Sequence, residues 1–257
     1  MTQKITLISD WRQKDPYIAL FKNKLDQEIP GNQIYDLSHS IGFGLVSQAA
    51  FLLKNTYSQF PENTLHIILV ANSFNRDKSP IVVKCNNHYF LGEDTGIFSL
   101  LVKGETFQAY QFKFLPKDGD FLSNLTTMAR WITEGNLEEN VIVYNNMQAK
   151  FMEEYTYYKN DNTITGEIVY IDSYHNAVTN IPTEAFLKYV KNKPFKATVG
   201  EYNQITIQRF HPFYNERERE IYFVANRLGH IEISMYNGKV ATLANLQVND
   251  KVTITIN

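Results

Sequence analysis

Thr64-Leu65-His66-Ile67-Ile68-Leu69-Val70-Ala71 is apolar at nearly every position, and that run decides the fold class. A strand with one face in water alternates apolar and polar residues, whereas a strand covered on both faces by helices runs apolar throughout. Outward from this run, strand-like and helix-like segments alternate. Lys4 to Ser9 is an apolar strand, and Asp15-Pro16 opens a helix through about Leu25, with an acidic cap and a proline suited to the first helical position. Ile34 to Leu37 forms a second strand, and Gly44 to Tyr57 carries Leu45, Ala49, Leu52 and Leu53 as a helical stripe. This βαβαβ order predicts an N-terminal α/β domain with a mostly parallel sheet. Downstream, Ile81 to Leu91 predicts a hairpin around the turn-prone pair Asn86-Asn87. Thr95 to Lys103 and Leu122 to Glu134 predict helices, the second ending on Gly135 as its C-cap, and Val141 to Tyr144 predicts a short strand.

The pattern changes near residue 150. The polar stretch Lys159-Asn160-Asp161-Asn162-Thr163 marks a domain boundary, which places an α/β domain at 1–155 and a second domain at 163–257. Beyond it lie short strand-like runs separated by turn signals: Gly166 to Ile171, Phe195 to Val199, Gln204 to Gln208, Glu220 to Ala225, His230 to Met235 and Lys251 to Ile256. One short helix, Thr183 to Lys191, interrupts them. Short strands at this spacing predict a small C-terminal β-barrel or sandwich, and the barrel is the expectation.

Composition narrows the function classes. A chain of 257 residues with 44% hydrophobic and 20% charged residues has the make-up of a globular protein, which excludes wholesale disorder. The generous aromatics, 16 Tyr and 17 Phe, suit β packing and also stacking on a purine. A net charge of -2 supplies neither the basic footprint of a nucleic-acid binder nor a polybasic arm for a membrane surface. The single cysteine, Cys85, excludes an internal disulfide and any multi-cysteine zinc site. No secretory leader pattern opens the chain, and no apolar run approaches the ~18 residues a membrane span needs. The expectation is a cytoplasmic protein with no metal site: no His/Asp spacing forms one, and His39 and His66 are expected to be structural, bonding backbone.

Asp10 stands at the C-terminal end of the first strand, the edge where ligands bind in open α/β sheets. A carboxylate there can accept two charge-assisted hydrogen bonds from a ribose diol. For Asp15, spacing alone favours a helix cap. For Asp172-Ser173-Tyr174-His175-Asn176 the residues alone favour a β-turn with an Asn-centred hydrogen bond. Arg227 is either a surface arginine paired with Glu220 or Glu232, or a bidentate anion ligand.

Two stretches carry a resemblance: Ile5 to Tyr17, with Ser9-Asp10-Trp11-Arg12 followed by Asp15-Pro16-Tyr17, and Gly166 to Asn180, with its Asp172-Ser173-Tyr174-His175-Asn176 turn. Together they resemble the S-adenosylmethionine (SAM) hydroxide adenosyltransferases, a family that also contains fluorinating and chlorinating enzymes. Asp36-Leu37-Ser38-His39-Ser40-Ile41, Leu65-His66-Ile67-Ile68, Glu93-Asp94-Thr95-Gly96-Ile97-Phe98-Ser99 and Asn226-Arg227-Leu228-Gly229-His230-Ile231-Glu232-Ile233 extend the likeness in the same order along the chain. The resemblance implies that Asp10 holds the ribose hydroxyls, Asp15 the methionine ammonium, and Asp172 the amino acid. It implies that Tyr174 packs on the adenine, that Asn176 pairs with its edge, and that Arg227 takes the methionine carboxylate as in the halogenating relatives. It further implies a homotrimer with pockets between the first domain of one subunit and the second domain of its neighbour. Arg12 and His175 stand where the family has glycine.

The resemblance breaks at the groups that do the chemistry. The hydrolases of the family use an Asp from an Asp-Pro-Gly-Val-Gly loop, an Arg seven residues later and a His from a His-Gly-Arg-Asp segment. Aligned on His66, this chain has Ala71 at the Asp position, or Asn72 with a one-residue slip, then Ser73-Phe74-Asn75. The Arg position falls on Lys78 beside Arg76 and Asp77, and the His segment becomes Lys117-Asp118-Gly119-Asp120. One expectation is a SAM-cleaving enzyme, with SAM as substrate and no further cofactor, hydrolysing to adenosine and L-methionine by attack at ribose C5′. Asp77, Lys78 and Asp118 are its candidate catalytic groups, Asp120 a further base, and Ser73 or Ser79 donors if an anion attacks instead of water. The alternative is a catalytically inactive protein of the same family that binds SAM or adenosine. A scaffold with no ligand is the third class.

Overall fold

The computed structural model describes residues 3–73, 78–116, 119–200, 204–216 and 220–257. The chain divides into two compact units, Met1–Phe151 and Met152–Asn257. The first contains β1 (Lys4–Ser9), α1 (Tyr17–Glu28), β2 (Gln33–Ser38), α2 (Val46–Lys54), β3 (Leu65–Leu69), β4 (Ile81–Cys85), β5 (His88–Gly92), α3 (Ile97–Leu101), β6 (Phe107–Phe112), α4 (Phe121–Glu134), α5 (Leu137–Asn140) and β7 (Val141–Val143). They build a seven-stranded sheet in the order β2-β1-β3-β5-β4-β6-β7.

β1, β2, β3 and β5 run parallel. β6 points the same way, because it is antiparallel to β4, which is itself antiparallel to β5. The N-terminal domain is thus the expected α/β unit with a mostly parallel sheet. β3 is interior and every one of its residues is buried, as its unbroken apolar sequence predicts. Ile5, Leu7, Leu65, Ile67 and Leu91 pack on Phe21 and Leu25 of α1 and on Leu125 and Met128 of α4. α2 and α3 pack against each other, and α2 also lies on β1. Asn86 (φ 47°) and Asn87 (φ 60°) both take left-handed backbone in the β4–β5 turn, the primed geometry that matches strand twist.

Several expectations shift at element ends. α1 runs on to Glu28, and its N-cap is Pro16, which makes no side-chain cap bond, so Asp15 is not the cap. α2 and α3 are shorter than predicted, and a 3-10 turn at Tyr57–Gln59 follows α2. α4 begins at Phe121 with Asp120 as cap, and Gly135 (φ 77°) ends it in the left-handed conformation that costs glycine nothing. β6 was not expected; its burial does not alternate cleanly, which leaves a weak strand signal.

The second unit contains β8 (Thr156–Tyr158), β9 (Thr163–Ile171), β10 (Ala177–Pro182), α6 (Thr183–Val190), β11 (Phe195–Val199), β12 (Ile205–Ile207), β13 (Phe210–His211), β14 (Tyr222–Ala225), β15 (His230–Ser234), α7 (Val240–Leu243) and β16 (Lys251–Ile256). Its nine-stranded sheet has the order β12-β11-β16-β9-β10-β15-β14-β13, with β8 also on β9. The first half of β9, Thr163 to Glu167, pairs with β16, and its second half pairs with β10. That split curls the sheet into the expected barrel-like form, wrapped on Ile164, Ile168, Phe186, Phe223, Ile233 and Ile254. The polar stretch expected between domains is the β8–β9 hairpin turn, where Tyr158 pairs with Thr163 inside the second unit. No helix among the described residues is long and apolar enough to cross a membrane.

Candidate functional site

The chain leaves β1 through α1 to β2 on one side, then crosses to β3 on the other. The crevice beyond the carboxyl ends of β1 and β3 is therefore a topological switch point, where open α/β sheets bind ligands. A cleft of about 920 Å³ opens there, lined by Asp10, Trp11, Asp15, Tyr17, Gly44 and Asn72 among others. Three strand-end loops converge on Asp10. Its Oδ2 accepts the backbone N–H of Gly44, from the loop after β2, and of Ala71, from the loop after β3, both at 3.0 Å. Two N–H donors on one oxygen fix the carboxylate, and among the described residues the other oxygen has no hydrogen-bond donor. Trp11 stands edge-on to Tyr17 and Phe21, with ring centroids 6.5 and 6.1 Å away, and supplies an aromatic wall. Asp15 is exposed on the cleft lining.

The backbone of this cleft is strained. Arg12 (φ 60°) and Ala71 (φ 58°) occupy left-handed backbone, which costs a non-glycine residue roughly 1–2 kcal/mol. Each is tied in place: Arg12 N–H donates to the His39 carbonyl at 2.9 Å, and Ala71 N–H to Asp10. Arg12 thus keeps the backbone conformation for which glycine is suited. Next to Ala71, both polar atoms of the Asn72 amide are buried without a hydrogen-bond partner among the described residues. Ser73 is clamped by the buried Glu93, whose Oε2 accepts its N–H at 2.8 Å and whose Oε1 accepts its hydroxyl at 2.9 Å.

Of the candidate groups for chemistry, Lys78, Asp120, Ser73 and Ser79 lie among the described residues. Lys78 is exposed and is not among the lining residues. Asp77 and Asp118 lie outside the described residues. Asp120 caps α4 by accepting the Ser123 N–H at 2.7 Å, and that bond holds its carboxyl below the usual range, so it is a cap and a poor base. The Ser73 hydroxyl is taken by Glu93, and Ser79 donates to the Pro80 carbonyl at 3.2 Å, so neither is left as an anion donor. His39 bonds the Ser9 hydroxyl at 2.8 Å and His66 the Thr6 hydroxyl at 2.7 Å, side chains where backbone was expected. No cluster of metal-ligating side chains exists among the described residues.

In the second unit the Asp172–Asn176 turn closes on itself. Asp172 Oδ1 accepts the N–H groups of Tyr174 and Asn176 at 2.9 and 2.8 Å, and its Oδ2 accepts Asn176 Nδ2 at 3.1 Å. Asp172, not the asparagine, centres the turn. Asn176 Oδ1 accepts from the Ser234 hydroxyl at 3.0 Å, so its amide is engaged at both ends and buried. His175 (φ 62°), like Arg12, keeps left-handed backbone, and its Nδ1 lies 2.8 Å from Thr242 Oγ1. Tyr174 is 77% exposed. Arg227 is exposed in the β14–β15 turn and pairs with neither expected acid: Glu220 pairs with Arg209, and Glu232 accepts from Tyr214 at 2.8 Å. Burial pushes the Glu232 carboxyl up to about 7, with the Asp172 charge adding to it, against hydrogen bonds from Tyr214 and Asn226. Glu93 and Ser234 were not singled out from the sequence, because their roles rest on partners 20 and 58 residues away.

Comparison with known proteins bears on both units. The SAM hydroxide adenosyltransferase N-terminal domain matches residues 5–122, and the C-terminal domain of the same family matches residues 166–253. A (R)-S-adenosyl-L-methionine hydrolase of Methanocaldococcus jannaschii is 22% identical over 257 residues, covering 97% of this chain and 95% of that protein. A hydrolase of the same name from Thermus thermophilus is 25% identical over 96 residues, 37% of each chain. Among solved structures, an uncharacterized conserved protein of Thermotoga maritima superposes with a TM-score of 0.86 at 20% identity, covering 98% of this chain and 99% of that one. A conserved hypothetical protein, also of Thermus thermophilus, gives a TM-score of 0.70 at 17% identity over 98% and 100% of the two chains. At such identities the structural likeness establishes the fold.

Proposed function

The chain belongs to the SAM hydroxide adenosyltransferase family, and on that premise we propose that it binds SAM and hydrolyses it to adenosine and L-methionine. The observation that carries this reading is Asp10, held by two backbone N–H groups at the mouth of the cleft. It accepts the ribose diol, while Asp15 on the same lining meets the methionine ammonium. Trp11 and Tyr17 give the cleft its apolar wall. From a second subunit, Asp172, Tyr174, Asn176 and Arg227 complete the pocket in a cytoplasmic homotrimer: Tyr174 on the adenine face, Asn176 at its edge, Asp172 near the amino acid, Arg227 on the carboxylate. The exposure of Tyr174 and Arg227 supports that assignment.

In the reaction the water oxygen bonds to C5′ as the C5′–S bond breaks. The bonding pair leaves with sulfur as the neutral thioether of methionine, and the water proton passes to solvent or to a base. A sulfonium is a good leaving group, so alignment supplies much of the acceleration. Asp77, Lys78 and Asp118 are the candidates for assisting the water.

One feature favours the second reading, a non-catalytic SAM- or adenosine-binding protein: the place of the relatives' acid falls on Ala71, or on Asn72 with a one-residue slip, and neither side chain is a base. Incubation of the purified protein with excess SAM, with products followed by chromatography, separates the two. Adenosine and methionine in equal amounts are expected. No product above the enzyme-free rate, with SAM still bound in calorimetry, leaves the binding protein. An Asp10→Ala variant should weaken that binding by about 1.5–3 kcal/mol, and unchanged affinity would remove the pocket itself.

A further inference from the structure

Among the described residues, Asn72 is the one side-chain amide with both Nδ2 and Oδ1 buried and unpartnered; Asn124 and Asn136 each leave a single atom so. It is also the one such residue that lines the cleft. Burying an amide without partners is costly, and folded proteins rarely leave both ends unmet unless something else meets them. The orphan is not an accident of a loose loop. The residue before it is anchored by its N–H on Asp10 at 3.0 Å, and the residue after it by two bonds to Glu93 at 2.8 and 2.9 Å. Two carboxylates hold the chain on either side, so Asn72 is kept at a fixed place on the cleft lining with Asp10.

From this geometry, and resting on the nucleoside reading above, we infer that Asn72 is a specificity-determining ligand contact whose amide bonds a hydroxyl of the same vicinal diol that Asp10 holds. A carboxylate can only accept, so each hydroxyl that donates to Asp10 keeps lone pairs in need of a donor. Nδ2 is that donor, and Oδ1 accepts from a hydroxyl that does not donate to the carboxylate. Asp10 and Asn72 together therefore satisfy the diol in both directions, which an acid alone does not.

The test is calorimetric titration of the full-length wild type and Asn72→Ala with adenosine, 2′-deoxyadenosine and 3′-deoxyadenosine, beside thermal melting of both proteins without ligand. Asn72→Ala should bind adenosine about tenfold more weakly, the usual size of one lost hydrogen bond. Against one of the deoxynucleosides the same substitution should cost less than twofold, because the hydroxyl it served is already gone. The ligand-free variant should melt no lower than wild type, since the amide has no partner to lose. Equal losses on all three nucleosides, or none on adenosine, would overturn the assignment. A lower melting temperature with affinity intact would make the amide structural and also overturn it. If wild type binds none of the three, the nucleoside reading itself fails and takes the assignment with it, a result distinct from wild-type binding that Asn72→Ala leaves unchanged.

Discussion

Asn72 and Asn176 are both amides in loops that leave the end of a strand, and the protein uses them in opposite ways. Asn176 gives Nδ2 to Asp172 and receives the Ser234 hydroxyl on Oδ1. Asn72 has no partner at either end among the described residues. The turn of the second unit is thus finished by folding, while the cleft of the first keeps hydrogen-bonding capacity in reserve. Reserve of that kind lowers stability and is retained where a ligand repays it. A finished turn contributes a rigid frame, on which the exposed Tyr174 is carried.

The largest effect should come from cutting the finished turn. Asn176→Ala removes the donor to Asp172 Oδ2 and leaves the buried Ser234 hydroxyl without its acceptor. Orphaning buried polar partners costs about 1–3 kcal/mol, read as a lower urea midpoint. If Asn176→Ala and Asn72→Ala prove equally harmless to the unliganded fold, the contrast between the two amides collapses.

Acid should separate the units next, because each buries a titratable group of opposite kind. Burial, with His88 beside it, pushes His66 down to about 3, well below its ordinary 6.5. Between pH 6.5 and 3 the unfolded chain takes up a proton that the folded one refuses, so this histidine's contribution to stability is lost as pH falls. Glu232, pushed up to about 7 from its ordinary 4.5, works the other way. Between pH 4.5 and 7 the folded chain keeps a proton that the unfolded one has released, so stability is lost as pH rises. Denaturation of Glu232→Gln and His66→Gln beside wild type, from pH 4.5 to 6.5, should show the sign. The Glu232→Gln difference from wild type should grow more favourable with rising pH, and that of His66→Gln with falling pH. Each slope is bounded at about 1.4 kcal/mol per pH unit for one proton. Slopes of the same sign would show that the two units do not differ in this way.

What could be foreseen was local. The unbroken apolar run of β3, the Asn86-Asn87 turn and the Gly135 cap each announce themselves in a few consecutive residues, and each stands where expected. Asp10 was legible for the same reason, as a carboxylate at a strand end. The state of the site was not, because it is made by pairs far apart in the chain. Ser73 meets Glu93 across 20 residues and Asn176 meets Ser234 across 58, and neither pair has a signature at either end. Asp15 shows the converse limit: its spacing before a helix suits a cap, yet Pro16 takes the cap position and leaves the acid on the cleft.

The smallest effect concerns the two positions where the family's glycine is replaced. Arg12 and His175 both hold left-handed backbone, at φ 60° and 62°, so relief of strain on returning to glycine should be similar at both. What differs is the side chain removed. His175 Nδ1 is bonded to Thr242 Oγ1 at 2.8 Å, whereas Arg12 is tied by its backbone N–H, which glycine keeps. Relief of about 1 kcal/mol, set against the extra unfolded-state freedom of glycine at roughly 0.5–1 kcal/mol, leaves a gain of a few tenths at Arg12. At His175 the lost hydrogen bond should turn that gain into a loss of about 0.5–1 kcal/mol. Paired urea melts of Arg12→Gly and His175→Gly measure the difference. A clear loss at Arg12 would mean that its side chain supports the cleft as well as its backbone does, and the first unit would then be less open than Asn72 makes it.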